Sequence, residues 1–431
     1  MKNYRNFASR QESSVEMQEG KQPKKTKQQL ACEYIRENYL EFGSLRYDLI
    51  ADKLQVRTEQ HWRYLTNCDI NTIVCDASYH YDANITSKEV MTALHSDLIP
   101  RVHPLREYIK GLKAYAPNSV DWIEWLSNQV TLKYPTGCSE EDRQRLEARW
   151  HVCFKKWFVA MVASWMDDDV VNQAVLVLIG RQGCYKTTWL ENLMPTHLRD
   201  YGCKLANTVQ LGKDDRLRIA EFGLINLDEL DAMTPRELNA MKSIITSKDV
   251  NERAAYAYVK ERKMRLASFC ASSNKREFLT DQTGNRRWLP FEVQDIQNPY
   301  HTILPYDMLY AQAWALVQEG FNYWFDQEDI SVLEQHNEDF RMQESEEQLL
   351  PILFDIPAEG KGVFMTTAQI SERLVSFGNI KNPMHLSRLG TVLGRAGYSA
   401  VTRRIGGVQT RGWVVYQRDS DEVKAMRNIV E

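Results

Sequence analysis

Two short stretches of the chain carry residue types at spacings suited to phosphate chemistry. The run from Gly180 to Thr187 reads GRQGCYKT, one residue away from the pattern GxxxxGK[ST], with Tyr185 where the last glycine is expected. In such a run the backbone N–H groups from 181 to 187 can cup a β-phosphate, Lys186 can reach the β and γ oxygens, and the Thr187 hydroxyl can go to Mg²⁺. The candidate cradle is therefore Gly180, Arg181, Gln182, Gly183, Cys184, Tyr185, Lys186, Thr187 and Thr188. Tyr185 constrains it. Its side chain must point away from the cradle, because a Cβ facing the phosphates would crowd them, and a positive φ there adds strain.

The second stretch is acidic. Asp228 and Glu229 close the apolar run LINLDEL, 42 residues beyond Lys186. Asp228 is suited to hold Mg²⁺, directly or through water, and Glu229 to orient and deprotonate an attacking water. Further on, MRLASFCASSN ends at Asn274, whose amide can hold that water or contact a γ-phosphate. Taken alone, an Asn at a strand end is an ordinary turn residue. In TGNRRWLP, Arg286 and Arg287 can neutralise γ-phosphate charge, acting across a subunit boundary; the plain alternative is a surface basic pair.

These residues need a scaffold that delivers them to one place. AVLVLI at 174–179 is a short continuous apolar run, as in a strand buried on both faces of a parallel sheet, and it leads directly into the glycine-containing loop. LRIAEFG, LINLDEL and LASFCASSN are further strand candidates separated by helical or loop-like stretches. That alternation predicts an α/β core of the P-loop NTPase type with helices on both sheet faces, over 166–320. Upstream, ACEYIRENYLEF, SKEVMTALHSDL, PLREYIKGLKAY and the long segment 140–166 place apolar residues three or four apart, so 31–165 reads as a mostly helical lead-in domain. Residues 1–30 read as a flexible basic arm, 321–360 as an acidic helical linker, and 419–431 as a tail.

The C-terminal portion has a different pattern. TTAQISERLVSFG and HLSRLGTVLGRAG read as two helices, and SAVTRRI with TRGWVVYQR as a β-hairpin around GGVQ. This order predicts a small winged-helix-like domain over 361–418, with Arg388, Arg395, Arg403, Arg404 and Arg411 as candidate DNA contacts and Arg418 nearby. Charge agrees with that placement. The net charge of -4 conceals nine basic residues against one acidic in 361–418, seven against three in 1–30, and 36 against 50 in 31–360. A uniformly basic nucleic-acid coat is excluded, whereas a basic module on an acidic body is not.

Other classes are disfavoured. The eight cysteines form no CxxC pair and the nine histidines no HExxH, so neither a zinc site nor a disulfide framework is indicated. No apolar run reaches the roughly 18 residues needed to cross a bilayer, and the polar N-terminus lacks a secretory apolar core. The sequence predicts a cytoplasmic protein without a membrane partner.

The stretches LVLIGRQGCYKTTWLENLMP, EFGLINLDELDAM, NAMKSIITSKD with NERAAYAY, and FCASSNKREFLTDQTGNRRWLPFEV, spanning 176–293, together resemble the virulence-associated protein E family of bacteriophages and mobile elements. The ATPase domain of that family is similar to superfamily 3 helicases. The resemblance implies an ATP hydrolase, a helicase coupling ATP and Mg²⁺ to single-stranded or duplex DNA, working with replication partners as a ring-forming homo-oligomer, with a hexamer as a candidate size. It assigns Lys186 and Thr187 to the phosphates and Mg²⁺, Asp228 and Glu229 to metal and general base, Asn274 to the sensor, and the NRR turn to Asn285, Arg286 and Arg287. It also marks Arg253 as a weaker candidate. The segment from Ile245 to Met264, with Lys248, Lys260, Arg262 and Lys263, is a candidate pore-facing loop or a plain solvated charge cluster. Tyr185 departs from the family's glycine and keeps open an alternative, a nucleotide-dependent DNA-binding switch without unwinding.

Overall fold

The computed structural model describes residues 24–59, 61–116, 120–206, 219–250, 263–279, 285–358 and 362–423. Its centre is a six-stranded sheet in the order β5-β12-β6-β11-β8-β7. The strands are β5 (Val130–Leu132), β6 (Val175–Ile179), β7 (Gly202–Ala206), β8 (Leu224–Asp228), β11 (Ser268–Ser273) and β12 (Trp288–Ile296). Neighbours run parallel throughout, except for β5, which pairs antiparallel with β12.

Strand side chains alternate between two faces, so each strand feeds two cores. Leu176 and Leu178 of β6, with Leu224, Cys270 and Phe291, pack in one cluster; Val175, Val177 and Ile179, with Ile225, Leu227, Phe269 and Ala271, pack in the other. Burial on both faces explains why AVLVLI is apolar without alternation.

The first face is covered by the 27-residue helix α6 (Glu140–Met166). Ser139 caps it by accepting from the Asp142 N–H, and Glu140, Glu141 and Asp142 lie in its first turn, where negative charge is favoured. Its buried stripe includes Trp150, Phe154, Trp157, Phe158 and Trp165. Each buried indole N–H finds a backbone acceptor: Trp150 donates to Ser127 O at 3.0 Å, Trp157 to Phe269 O at 2.9 Å and Trp165 to Gly223 O at 3.0 Å. These bonds fix the depth and rotation of α6 on the sheet. On the same face lies α7 (Lys186–Glu191), whose Trp189 and Leu190 are buried. The opposite face receives α8 (Pro235–Thr246), capped by Thr234 and burying Leu238, Met241 and Ile245.

Three expectations change. The region 31–165 is helical over much of its length but also holds a sheet that the pattern does not reveal: β1 (Leu45–Asp48), β2 (Lys53–Arg57), β3 (Trp62–Tyr64) and β4 (Arg101–Val102), in the order β3-β2-β1-β4. Helices α1 (Lys27–Ile35), α2 (Asn67–His80) and α3 (Ser87–Leu94) share a core with it that contains Ile35, Leu45, Leu54, Ile73 and Leu94. Secondly, LRIAEFG does not supply the expected strand, since residues 219–221 are helical and 217–218 lie outside the described residues; the edge strand is β7 instead. Thirdly, residues 24–30, read as the end of a basic arm, lead into α1 through a Thr26 capping box with Gln29. The rest of that arm lies outside the described residues.

Residues 321–360, read as a linker, divide between cores. Leu333 of α10 (Gln327–Asn337) packs in the first sheet-face cluster and Phe340 in the second, as α9 (Tyr306–Gln318) does through Leu309 and Tyr310 in the first. Leu350 of α11 (Ser345–Leu353) joins the C-terminal core instead. That core gathers α12 (Thr367–Gly378), α13 (Leu386–Arg395) and a sheet in which β16 (Val408–Gln417) pairs with β13 (Phe354–Asp355), β14 (Val363–Met365) and β15 (Ser399–Ile405). Among the described residues, no helix is long and apolar enough to cross a membrane.

Candidate functional site

Because β6, β8 and β11 are parallel and in register, their carboxyl ends fall on one edge of the sheet. There the chain leaves β6 through Gly180, β8 through Glu229 and β11 through Asn274. Gly180 has no room for a side chain: a Cβ there would sit 2.7 Å from Val293 O of β12. The loop then climbs through Gly183, at φ +85°, and Tyr185, at φ +62°, into α7. Tyr185 thus adopts the left-handed backbone expected of the missing glycine. Its ring packs against the core edge and meets Tyr300 edge-on at 6.2 Å between centroids.

Lys186 folds back into the hollow of this loop. Its ammonium donates to Gly180 O at 2.7 Å, Arg181 O at 2.8 Å and Asn274 Oδ1 at 3.3 Å, and only 6% of the residue is exposed. Thr187 donates to Asp228 Oδ1 at 2.8 Å. The same oxygen accepts from the Ser272 hydroxyl at 2.5 Å, while Oδ2 pairs with Lys204 Nζ at 2.7 Å. Burial pushes the Asp228 carboxyl up, but Lys204, Ser272 and Thr187 together outweigh it and hold the group below the usual carboxylate range. Lys204 is held correspondingly above the usual lysine range, chiefly by its hydrogen bond to Asp228.

Glu229 is exposed and, like Tyr185, sits in the left-handed region, at φ +55° and ψ +49°. Such backbone in a non-glycine residue costs roughly 1–2 kcal/mol. Two of these turns bordering one cleft is the kind of strain that concentrates where side chains must be aimed. Asp231 steadies the third turn by accepting from the Asn274 N–H at 3.1 Å. The cleft so formed has a volume of about 300 Å³, lined by Gln182, Gly183, Tyr185, Lys186, Thr187, Thr188, Asp228, Glu229, Ser272 and Asn274.

Thus Lys186, Thr187, Asp228, Glu229 and Asn274, chosen from sequence, come together. Ser272, Lys204 and Asp231 join them although no motif marks them. Ser272 and Asp231 do sit beside chosen positions, but Lys204 lies on a strand that the sequence pattern did not reveal. The donors near Asp228 are hard oxygens, a carboxylate and two hydroxyls, which suit Mg²⁺ bound through few protein ligands. Among the described residues, no group of three or more His, Cys, Asp or Glu side chains is placed to hold a metal.

Arg286 and Arg287 lie elsewhere. They precede Trp288, which pairs with Val175 at the start of β6, so they occupy the sheet edge opposite Lys186. The five residues of β6 separate the two edges by roughly 16 Å at 3.3 Å per residue. Within one chain these arginines do not reach the cleft. Arg253, Lys260 and Arg262 lie outside the described residues. Lys248 pairs with Asp169 at 2.6 Å and Lys263 with Asp52 at 3.0 Å, next to the short antiparallel pair β9 (Asp249–Val250) and β10 (Lys263–Met264).

The C-terminal arginines separate into two groups. On α13, Arg388 pairs with Glu344 and Arg395 lies 3.6 Å from Glu338, so both are held by carboxylates of the acidic segment. On the β15–β16 hairpin, Arg403, Arg404 and Arg411 are exposed; Arg403 lies over the Phe364 ring and Arg404 donates to Gly407 O at 3.1 Å. Arg418 pairs with Asp355 at 2.8 Å.

Residues 140–342, from α6 to just beyond α10, match the family model of the virulence-associated protein E-like domain. Among solved structures it is similar to the apo structure of the NrS-1 C-terminal region, with a TM-score of 0.42 and 11% identity over 89% of this chain and 99% of that one. An A-form apo structure of the same region gives a TM-score of 0.43 and 10% identity over 88% and 98%. No curated protein sequence matches.

The backbone at Tyr185 gives a direct test. With φ near +62°, Tyr185→Gly should be more stable than Tyr185→Ala by about 1 kcal/mol in urea unfolding, reversing glycine's usual disadvantage. The opposite order would show that the left-handed turn is not held in solution.

Proposed function

We propose that the protein is an ATP hydrolase of a phage or mobile element that couples nucleotide turnover to handling DNA, in the manner of a helicase. The observation that carries this reading is the convergence of Lys186, Thr187, Asp228, Glu229 and Asn274 on one cleft at the carboxyl edge of a parallel sheet. The match of residues 140–342, which include that cleft, to the virulence-associated protein E-like domain supports it.

In this reading the loop from Gly180 to Thr188 wraps the phosphates and Lys186 exchanges its loop carbonyls for phosphate oxygens. Thr187 and Asp228 would hold Mg²⁺, which supplies charge neutralisation between the phosphates when bound. Glu229, exposed at the cleft rim, accepts a proton from the attacking water, and Asn274 orients that water or the γ-phosphate. Arg286 and Arg287 act on the cleft of an adjacent copy in a ring, because their own cleft lies at the far edge of the sheet.

DNA contact is assigned to the C-terminal module, read as a winged helix whose hairpin arginines 403, 404 and 411 meet phosphates. Arg388 and Arg395 are lesser contacts while Glu344 and Glu338 hold them. The switch reading rests on Tyr185, and the left-handed turn it adopts leaves the loop able to form, which favours turnover.

ATP turnover measured with and without single-stranded DNA tests the proposal. DNA should stimulate turnover, and Glu229→Gln should reduce it at least roughly 100-fold while nucleotide still binds. Tight nucleotide binding with negligible wild-type turnover would favour the switch, and undiminished turnover in Glu229→Gln would remove the general-base role. For the hairpin, replacing Arg403 and Arg404 together by Glu should weaken DNA binding and lower the slope of log affinity against log salt by about 2. An unchanged slope would place the contact elsewhere.

A further inference from the structure

Beside the cleft, on the same face of the sheet, lies a second hollow of about 370 Å³. Its walls include Glu191 at the end of α7, Lys204 on β7 and Asn226 on β8. Lys204 and Asn226 stand opposite one another in the parallel register. Strands paired in this way run about 4.8 Å apart. Lys204 faces both spaces, with Nζ 2.7 Å from Asp228 Oδ2 and 3.9 Å from Glu191 Oε1.

Asn226 is 2% exposed, and neither atom of its side-chain amide has a hydrogen-bond partner. Buried amides are rarely left in that state, so a group able to reach Asn226 is expected. The ammonium of Lys204 is the nearest candidate in register, since it has three donors on a flexible four-carbon stem. At Asp228, by contrast, a hard cation and the ammonium compete. Oδ1 is already engaged by the Thr187 and Ser272 hydroxyls, and Oδ2 is the atom Lys204 holds.

We propose that Lys204 is a positioning residue with two seats: it neutralises Asp228 when no cation is bound, and moves into the neighbouring hollow onto Asn226 Oδ1 and Glu191 when a divalent cation takes the carboxylate. This rests on the nucleotide reading of the cleft and adds a control on how the cation enters. A bare cation meets the ammonium at Asp228. A cation carried by a polyphosphate brings extra oxygen ligands and displaces it, so metal and nucleotide arrive together.

The experiment is calorimetric titration of the full chain with a non-hydrolysable ATP analogue at a series of Mg²⁺ concentrations, reading the Mg²⁺ midpoint for tight nucleotide binding. Lys204→Met, which removes the competitor, should lower that midpoint about tenfold, in line with the effect of one adjacent opposite charge on a carboxylate. Asn226→Leu and Glu191→Gln, which remove the second seat, should raise it. An unchanged or raised midpoint in Lys204→Met overturns the inference. If that variant does not fold, unchanged midpoints in Asn226→Leu and Glu191→Gln overturn it instead, leaving the hollow as a hydrated cavity. A wild-type chain with no Mg²⁺-dependent nucleotide binding would refute the nucleotide reading itself, whereas wild-type dependence with unaltered variants refutes only the role of Lys204.

Discussion

The carboxylate of Asp228 is the point at which four elements are tied together. It ends β8, accepts from Thr187 on α7 and Ser272 on β11, and pairs with Lys204 on β7. None of these partners is close to it in sequence. They meet because β7, β8 and β11 run parallel in a fixed register, with Ala206 opposite Asp228 and Ala271 opposite Leu227. A one-residue slip would turn Asp228 to the other face and break every one of these contacts. Register in turn is set by the two apolar faces of the sheet and by the indole hydrogen bonds that seat α6 upon it.

The same edge bears the local cost of aiming side chains. Tyr185, which leads into α7, and Glu229, which leaves β8, each adopt left-handed backbone, at roughly 1–2 kcal/mol apiece, and both border the cleft. At Tyr185 the ring offsets part of that cost through its contacts with the core edge and Tyr300. This explains how a tyrosine can stand where a glycine is usual: the backbone conformation is retained and only the residue that adopts it has changed.

The centre of this site was legible in the sequence because its information is local. A doubly buried strand, a glycine-containing loop and a helix follow one another within twenty residues, and LINLDEL carries its carboxylates at its own end. What escaped depends on partners distant in the chain. Strand β7, GCKLA, is a short edge strand with a lysine at its middle, and the role of Lys204 exists only through its neighbours across the sheet. The N-terminal strands LRYD, KLQVR and WRY are short and partly exposed, so helical spacing in the flanking segments dominated the pattern. Sequence likewise placed the arginines of α13 in a basic module but could not show that Glu344 and Glu338 would meet them.

The central claim is that the loop from Gly180 to Thr188 and the carboxylate of Asp228 form one nucleotide site. A crystal structure of the full chain with ADP and Mg²⁺ tests it most directly. The account predicts the β-phosphate in the hollow of that loop, Lys186 transferred from the carbonyls of Gly180 and Arg181 to phosphate oxygen, and the metal beside Thr187 and Asp228. Nucleotide bound away from this cleft, with Lys186 still on its loop carbonyls, would contradict it.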